Sequence, residues 1–377
     1  MTGVTGFLAP FVATRFFRHG DQILFLVRKK SGQENNLRQL ILERLKATDP
    51  DYRDEWSRQW EIIIGDITLP HYGIPEQEFR QLKEKITDLF HAAALLSFKD
   101  KYRSHARATN IEGVCNTLEV AERLGTTLHY ISTAYVAGMR KGIIQEDELD
   151  KGQSFNNVYE ATKFEGEKLV RAWGSRPGNK VIIYRPSIII GDTKTGVAFS
   201  FSGYYVMAKF VKDFSLWLKQ HSWAKLLCLP IPIVRNAKLN LIPVNMVADL
   251  VDAITRRAES IDGTFHIVNT DPPSVQFIFE EGMKLLGISY VRFIPVSLGT
   301  LRICTHLTRA ISYLFGRRGK SFRNQILTFV PYFEGDAKFQ TPNTERIVGS
   351  LSVPPLNRSY FQKILEYAIN HEFQDRI

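Results

Sequence analysis

From the first residue to about residue 190, short apolar runs alternate with helical stretches, and no other feature limits the fold so tightly. The runs at 22–28, 61–65, 89–94, 127–132 and 180–184 are too short for core helices and are bounded by turn residues. They read as buried strands. Between them, 10–18, 77–89, 106–124 and 157–173 carry helical patterning, and 33–60 reads as a charged amphipathic helix followed by a loop. Such alternation builds βαβ units. The expected fold class is therefore α/β, a doubly wound, Rossmann-like parallel sheet covered on both faces.

Beyond residue 195 the pattern changes. Residues 199–218 are aromatic-rich and helical, 229–234 and 239–244 are apolar, and 295–350 are irregular and basic. Regular patterning returns as a helix at 247–257 and a strand at 263–268. We expect residues 1–195, joined by 235–275, to form a nucleotide-binding domain. Residues 196–234 and 276–377 would form a smaller substrate lobe folded onto it.

Of the 377 residues, 44% are hydrophobic and 23% charged, which is a folded, globular balance. The formal net charge is +10. A basic surface attracts anions, and phosphate-bearing cofactors or substrates fit here better than nucleic acid, because no zinc-finger or RNA-binding signature is present. The basic run Arg317-Arg318-Gly319-Lys320 reads as a solvated loop. Three scattered cysteines, Cys115, Cys228 and Cys304, argue against a disulfide scaffold or a metal cage. No apolar run approaches the ~20 residues of a membrane span, and the start is not a signal peptide. A soluble, cytoplasmic protein is expected, with peripheral membrane contact left open.

Gly3, Gly6 and Ala9 are spaced three apart just ahead of a helix. The first glycine permits a tight turn, the second lets backbone approach a pyrophosphate, and the small third residue lets the helix pack on its strand. The helix N-terminus adds N–H donors for phosphate. Arg28 ends the next strand, where nucleotide folds usually carry an acid for the ribose hydroxyls. A basic residue there suits the 2′-phosphate of NADP better than NAD. Only Met1 and Thr2 precede Gly3, where the central strand belongs. A missing N-terminal segment is the expectation, since neighbours of an absent central strand would expose unpaired edges.

Tyr159 and Lys163 lie one turn apart on a helix face. A lysine ammonium beside a phenol favours the phenolate, which makes a proton donor and acceptor for carbonyl chemistry. The spacing alone is common by chance. Ser132 and Thr133 end the preceding strand, where functional groups of a doubly wound sheet gather, so either hydroxyl could bond the reacting oxygen.

With these motifs in order, the chain resembles the extended short-chain dehydrogenase/reductases over residues 1 to about 275. The resemblance rests on Thr2-Gly-Val-Thr-Gly-Phe-Leu8, Gly65-Asp66-Ile67, His91-Ala-Ala-Ala94, Asn110-Ile-Glu-Gly113, Tyr130-Ile-Ser-Thr-Ala-Tyr135, Tyr159 with Lys163, Tyr184-Arg-Pro-Ser-Ile-Ile-Ile-Gly-Asp192, Leu241-Ile-Pro-Val-Asn245 and Val247-Ala-Asp249. It implies a cofactor loop of Thr2, Gly3, Thr5, Gly6, Phe7 and Leu8. It implies that Asp66 and Ile67 contact adenine, that Ala92 and Ala93 lie under the cofactor, and that Pro186, Ser187 and Ile188 flank the nicotinamide. Thr133 matches the catalytic hydroxyl, with Ser132 beside it. Tyr159 matches the acid/base, Lys163 the ribose-binding lysine, and Asn110 an asparagine that supports the site.

Within that family the Gly65-Asp66-Ile67 segment with Pro70 and Gly73, the Ser-Thr-Ala-Tyr segment, and Gly191-Asp192 with Thr195-Gly196 are most similar to the fatty acyl-CoA reductase and thioester reductase branch. This implies NADPH-dependent reduction of an acyl thioester, carried by CoA or acyl carrier protein, to an aldehyde or alcohol. The aromatic stretch 199–217 could line an acyl channel. Two alternatives stay open: a secondary-alcohol dehydrogenase or sugar-nucleotide enzyme using the same Tyr and Lys, and a non-catalytic NADP-binding sensor or scaffold.

Overall fold

The computed structural model describes residues 1–29, 36–98, 100–220, 230–288, 292–297, 299–300, 332, 337–350 and 353–375. Residues 317–320, Cys228, Cys304 and most of the basic stretch 295–350 lie outside the described residues.

Strand β1 (Ile23–Val27) pairs in parallel with β2 (Trp60–Ile64). Strands β3 (Asp88–His91), β4 (Thr127–Ile131), β6 (Lys180–Pro186) and β10 (Thr264–Ile267) form a second parallel set in the spatial order β10-β6-β4-β3. Met1 and Thr2 join the two sets. Thr2 bridges to Leu26 on one side and to His91 on the other. The Thr2 N–H donates to the Phe90 carbonyl at 2.8 Å, and the Leu26 N–H donates to the Met1 carbonyl at 2.9 Å. The sheet therefore reads β2-β1-(Met1, Thr2)-β3-β4-β6-β10, the doubly wound parallel arrangement, with two residues holding its central position.

Neighbouring side chains along a strand point to opposite faces. On β6, Val181 and Ile183 enter one core with Val114, Leu118 and Val170, whereas Ile182 and Tyr184 enter another with Phe11, Val247 and Val251. Helices α5 (Gly113–Leu124) and α6 (Val158–Gly174) cover the first face. Helices α1 (Leu8–Arg18) and α8 (Val244–Thr255) cover the second, with α2 (Leu37–Thr48) packed on α1. Helix α3 (Glu76–Leu82) is shorter than the patterning over 77–89 suggests, because Asp88 is already in register with Thr127 on β4. Helix α4 (Arg103–Arg107) runs through a π turn, Ala108–Glu112, into α5.

The C-terminal half adds short parallel pairs. Strand β7 (Ile188–Ile190) pairs with β9 (Leu241–Pro243), β8 (Pro230–Val234) with β11 (Arg292–Val296), and β5 (Gly142–Ile144) with β12 (Ala337–Phe339). Helices α7 (Tyr204–Gln220), α9 (Val275–Leu285) and α11 (Arg358–Asn370) enclose a separate core that includes Tyr205, Leu241, Val275 and Phe361. Helix α10 (Pro342–Val348) lies against α8 and β10. Its first turn is fixed by the buried Glu146 carboxylate, which accepts from the Asn343 and Thr344 N–H groups and from the Thr344 hydroxyl. An acid at that end complements the helix dipole. Among the described residues, no helix is long and apolar enough to cross a membrane.

One glycine tests the packing around the site. A Cβ on Gly166 would stand 2.7 Å from the Asn110 carbonyl oxygen and 2.8 Å from the Tyr130 hydroxyl. Gly to Ala inside a helix is ordinarily stabilising by ~0.5–1 kcal/mol. Here the sign should reverse. Gly166→Ala is expected to destabilise by ~1–3 kcal/mol through overpacking, measured as a lower urea midpoint at unchanged slope.

Candidate active site

The cofactor loop is built by backbone geometry. Gly3 has φ +82°, and a Cβ there would stand 2.8 Å from the Ala92 carbonyl carbon, so only glycine fits. The Gly6 N–H donates back to the Gly3 carbonyl at 2.8 Å. Helix α1 follows with no side-chain cap and no acid in its first turn. Its free N–H groups make an anion site. The Thr2 hydroxyl accepts from the Ala92 and Ala93 N–H groups at 3.2 and 3.1 Å, which ties the loop after β3 to the glycine turn. Phe7 and Leu8 turn inward, Phe7 edge-on to Phe11 and Leu8 into the α1 core, while Thr5 faces solvent.

Arg28 and Asp66 face each other at the strand ends, 3.8 Å apart. The Asp66 carboxylate accepts from the Thr68 N–H and hydroxyl, which fixes the turn after β2. Ile67 sends its side chain into the core against Gly113, so its backbone is what borders this end of the site. Arg44 was not singled out by sequence reasoning. It is buried, donates to the Gly6 carbonyl at 3.1 Å and lies 4.8 Å over the Phe199 ring. A signal for it existed: Ile41, Arg44, Leu45 and Thr48 form one buried stripe on α2, and an arginine in such a stripe is anomalous.

The candidate catalytic residues come from the end of β4, the π turn and α6. The Thr133 hydroxyl donates to the Pro186 carbonyl and accepts from the Tyr135 N–H, each at 3.3 Å, so the ends of β4 and β6 meet at this side chain. Ser132 points the other way and donates to Glu167 at 2.5 Å in the core. Of the two hydroxyls, Thr133 is the one left at the strand end. Ser187 is held by its N–H on the Ile267 carbonyl, and its buried hydroxyl has no partner among the described residues. Ile188 follows in β7, half-buried beside Gly203. The Asn110 amide accepts from the Leu95 N–H at 2.8 Å and donates to the Leu95 carbonyl and the Thr162 hydroxyl. It clamps the loop after β3 onto α6 from within the π turn.

Asn157 caps α6 through the Glu160 N–H, which sets the helix so that Tyr159 and Lys163 share a face. The electrostatics differ from the expectation for a Tyr–Lys pair. The Lys163 ammonium donates to the Ile131 carbonyl at 2.6 Å and sits 4.2 Å over the Tyr130 ring. Burial lowers its pKa to about 7, partly offset by Glu167. Tyr159 is raised above the usual phenol value by burial and then by the nearby Glu160 carboxylate, so it is held protonated. Beneath them, burial followed by the Lys163 charge lowers His91 to about 3, and its ring stacks on Tyr130.

A cleft of about 630 Å³ reaches the residues next to the start of α6 and the end of β4, lined by Tyr135, Asn156, Tyr332, Lys141, Lys238 and Lys338 among others. Tyr332 was missed from sequence. Its hydroxyl donates to Glu160 at 2.7 Å and accepts from Asn157 at 2.7 Å, and its ring meets Tyr135 edge-on. It ties residue 332 to the start of α6, and no local sequence pattern signals that contact.

The residues present fit a dinucleotide: a glycine turn that excludes any side chain, an uncapped helix start, and an orphaned hydroxyl at Ser187. Fold and site together define an NAD(P)-dependent oxidoreductase of the extended short-chain dehydrogenase/reductase type. The family profile described as male sterility protein, an NAD-binding family, matches residues 1–251, and the chain belongs to that family. It is similar to the nonribosomal peptide synthetase asaC of Aspergillus flavus, 24% identical over 78% of this chain but only 29% of that protein. It is likewise similar to the L-2-aminoadipate reductase of Schizosaccharomyces pombe, 24% identical over 74% of this chain and 19% of the relative. The chain thus spans less than a third of either relative's length. Among solved structures, the terminal R domain of the myxalamid PKS-NRPS pathway aligns with 99% of this chain and 90% of its own, at TM-score 0.79 and 26% identity.

The buried lysine gives a pH test. Its folded pKa of about 7 lies below the ordinary 10.5, so between these values the unfolded chain binds more protons. Stability should then rise as pH climbs from about 7, as the cost of burying the ammonium is relieved. Lys163→Met should flatten that rise between pH 7 and 9.5, read from urea denaturation at several pH values; an unchanged slope would place the titration elsewhere.

Proposed function

We propose that this chain reduces an acyl thioester borne on a carrier protein, using NADPH, and releases an aldehyde or alcohol. The observation that carries the reading is the alignment along 99% of the chain with a terminal R domain, and a cleft lined by Lys141, Lys238 and Lys338 supports it. The substrate lobe in this reading is made of residues 196–234 and 276–377. When bound, the nicotinamide would supply the hydride that adds to the thioester carbonyl; the C–S bond then breaks, the carrier leaves as its thiol with the aldehyde released, and a second NADPH would be needed to reach the alcohol.

The chain's own residues supply the rest. Tyr159, kept protonated by burial and Glu160, donates to the oxygen as negative charge develops there. Thr133 offers a second hydroxyl once its weak 3.3 Å bond to the Pro186 carbonyl is exchanged. Lys163, held by the Ile131 carbonyl, would bind the hydroxyls of the nicotinamide ribose. Asn110 holds the floor of the site through Leu95 and Thr162. Arg28 at the end of β1 and Arg44 beside the glycine turn support NADP over NAD. The cationic rim of Lys141, Lys238 and Lys338 suits the phosphate of a pantetheine arm. Tyr204, Tyr205 and Met207 of the aromatic stretch are packed in the lobe's core, so these side chains serve packing before any acyl channel.

NADPH oxidation with a carrier-loaded acyl thioester, an acyl-CoA and a panel of secondary alcohols, with product identification, tests the proposal. Consumption with alcohols alone would transfer the site to dehydrogenase chemistry. Tyr159→Phe should lower kcat by ~10²–10⁴-fold with the fold unchanged by circular dichroism. The double variant Lys141→Glu, Lys338→Glu should raise KM for the carrier-borne substrate several-fold while kcat holds, and the effect should shrink at high salt.

A further inference from the structure

Among the described residues, the two most exposed large apolar side chains are Ile143, at 58%, and Met139, at 51%. They lie four residues apart, Met139 on the segment that enters β5 and Ile143 within it, with Lys141 between them. The parallel register of β5 and β12 sets Lys338 beside Ile143. Lys141 and Lys338 are exposed too, and neither makes an ion pair among the described residues. Glu148, the acid that follows β5, is taken by Arg140 at 2.6 Å and Lys151 at 3.4 Å. The ribbon thus shows solvent an apolar centre flanked by unspent cations. Single exposed apolar residues are ordinary, but a cluster with a polar rim marks a surface that another molecule covers.

The cluster is held in place. Gly138, at φ +58°, turns the chain into the ribbon, and a Cβ there would collide with the Ser154 carbonyl, so only glycine fits. The Met139 N–H donates to the same carbonyl at 2.9 Å. Ile144, next to Ile143, is buried, and its carbonyl accepts from the Gln340 N–H at 3.0 Å. A surface already fixed in this way loses little freedom when it is covered.

Its position indicates the cover. Met139, Lys141 and Lys338 line the cleft, and Ile143 stands outside it, so the surface begins at the rim and runs outward. A thioester that enters the cleft on a long arm brings the body that bears the arm against this rim. The net charge of +10 and the two unpaired lysines call for an acidic body.

We propose that the outer face of the β5–β12 ribbon docks the folded body of the carrier protein, with Ile143 and Met139 against an apolar patch of the carrier and Lys141 and Lys338 against acidic side chains around that patch. This rests on the thioester reading and extends it: the cleft receives the arm, and the ribbon recognises the protein. A substrate on free pantetheine uses the first and not the second.

The variants Ile143→Asp and Ile143→Leu test this with an octanoyl thioester carried either by an acidic acyl carrier protein or by free pantetheine. Ile143 is exposed and outside the cleft, so both variants should keep the native Tm. In Ile143→Asp, kcat/KM for the carrier-borne substrate should fall by about tenfold or more, through KM, while the value for octanoyl-pantetheine stays within about twofold. Ile143→Leu should keep the native value for both. Binding of the carrier with its arm but no acyl group, followed by line broadening of the isotope-labelled carrier, should weaken in the Asp variant alone. Equal loss on both substrates, or no loss on the carrier-borne one, would overturn the docking surface. So would a native chain that sediments as a dimer and an Ile143→Asp variant that sediments as a monomer, since the ribbon would then join two copies. Failure of the native chain to reduce either thioester would instead remove the thioester reading, and this partner with it.

Discussion

The ends of β4 and β6 and the helix α6 meet at the buried pair Glu167–Arg185. Burial alone would raise the Glu167 carboxyl, yet the Arg185 guanidinium against it, with Arg171 and the Ser132 hydroxyl, holds it at about 2. Arg185 reaches Glu167 through Nε and Nη2, and its other contacts go to the Glu146 and Glu148 carbonyls and the His266 ring nitrogen Nε2. A buried ion pair is tolerated only when its hydrogen bonds are filled in this way. The geometry has consequences on every side. Glu167 is one turn beyond Lys163 on α6, and Ser132 is next to Thr133. Arg185 adjoins Pro186, and Glu146 seats the first turn of α10. One ion pair thus registers the catalytic helix against the ends of β4 and β6 and against the C-terminal segment.

Much of the fold was legible because its signals are local. Short apolar runs with turn residues at both ends named the strands of the main sheet, and a Tyr and a Lys at helical spacing named the face of α6. The errors came where a distant partner decides. The patterning over 77–89 continues smoothly, but Asp88 is claimed by β4, so the helix stops at Leu82. Ser132 and Thr133 are equivalent as sequence neighbours. The alternation of a strand sends Ser132 to Glu167 and leaves Thr133 at the strand end. The Tyr–Lys spacing suggested a direct effect of one charge on the other. The folded chain instead gives the ammonium to a carbonyl, and burial governs the phenol. Arg44 and Tyr332 act through contacts far along the chain, which no local pattern encodes.

The site also shows how a nucleotide fold divides labour between backbone and side chains. The glycine turn, the uncapped helix start and the strand-end carbonyls are backbone features, and side-chain hydrogen bonds hold the loops around them: Thr2 to the Ala92–Ala93 loop, Asn110 to Leu95, Asp66 to Thr68. Such an arrangement explains why motif residues of this kind mark the site without all touching what it binds. The groups that reach outward are Arg28 and the lysines around the cleft.

The Lys163 bond to the Ile131 carbonyl carries one more consequence. A side-chain acceptor could be deleted by a single codon change, and the lysine would then lose its seat. A main-chain carbonyl cannot, because every residue at position 131 brings the same oxygen. The ammonium is therefore anchored to the part of the protein that mutation does not edit, and it can be moved only by moving the strand itself.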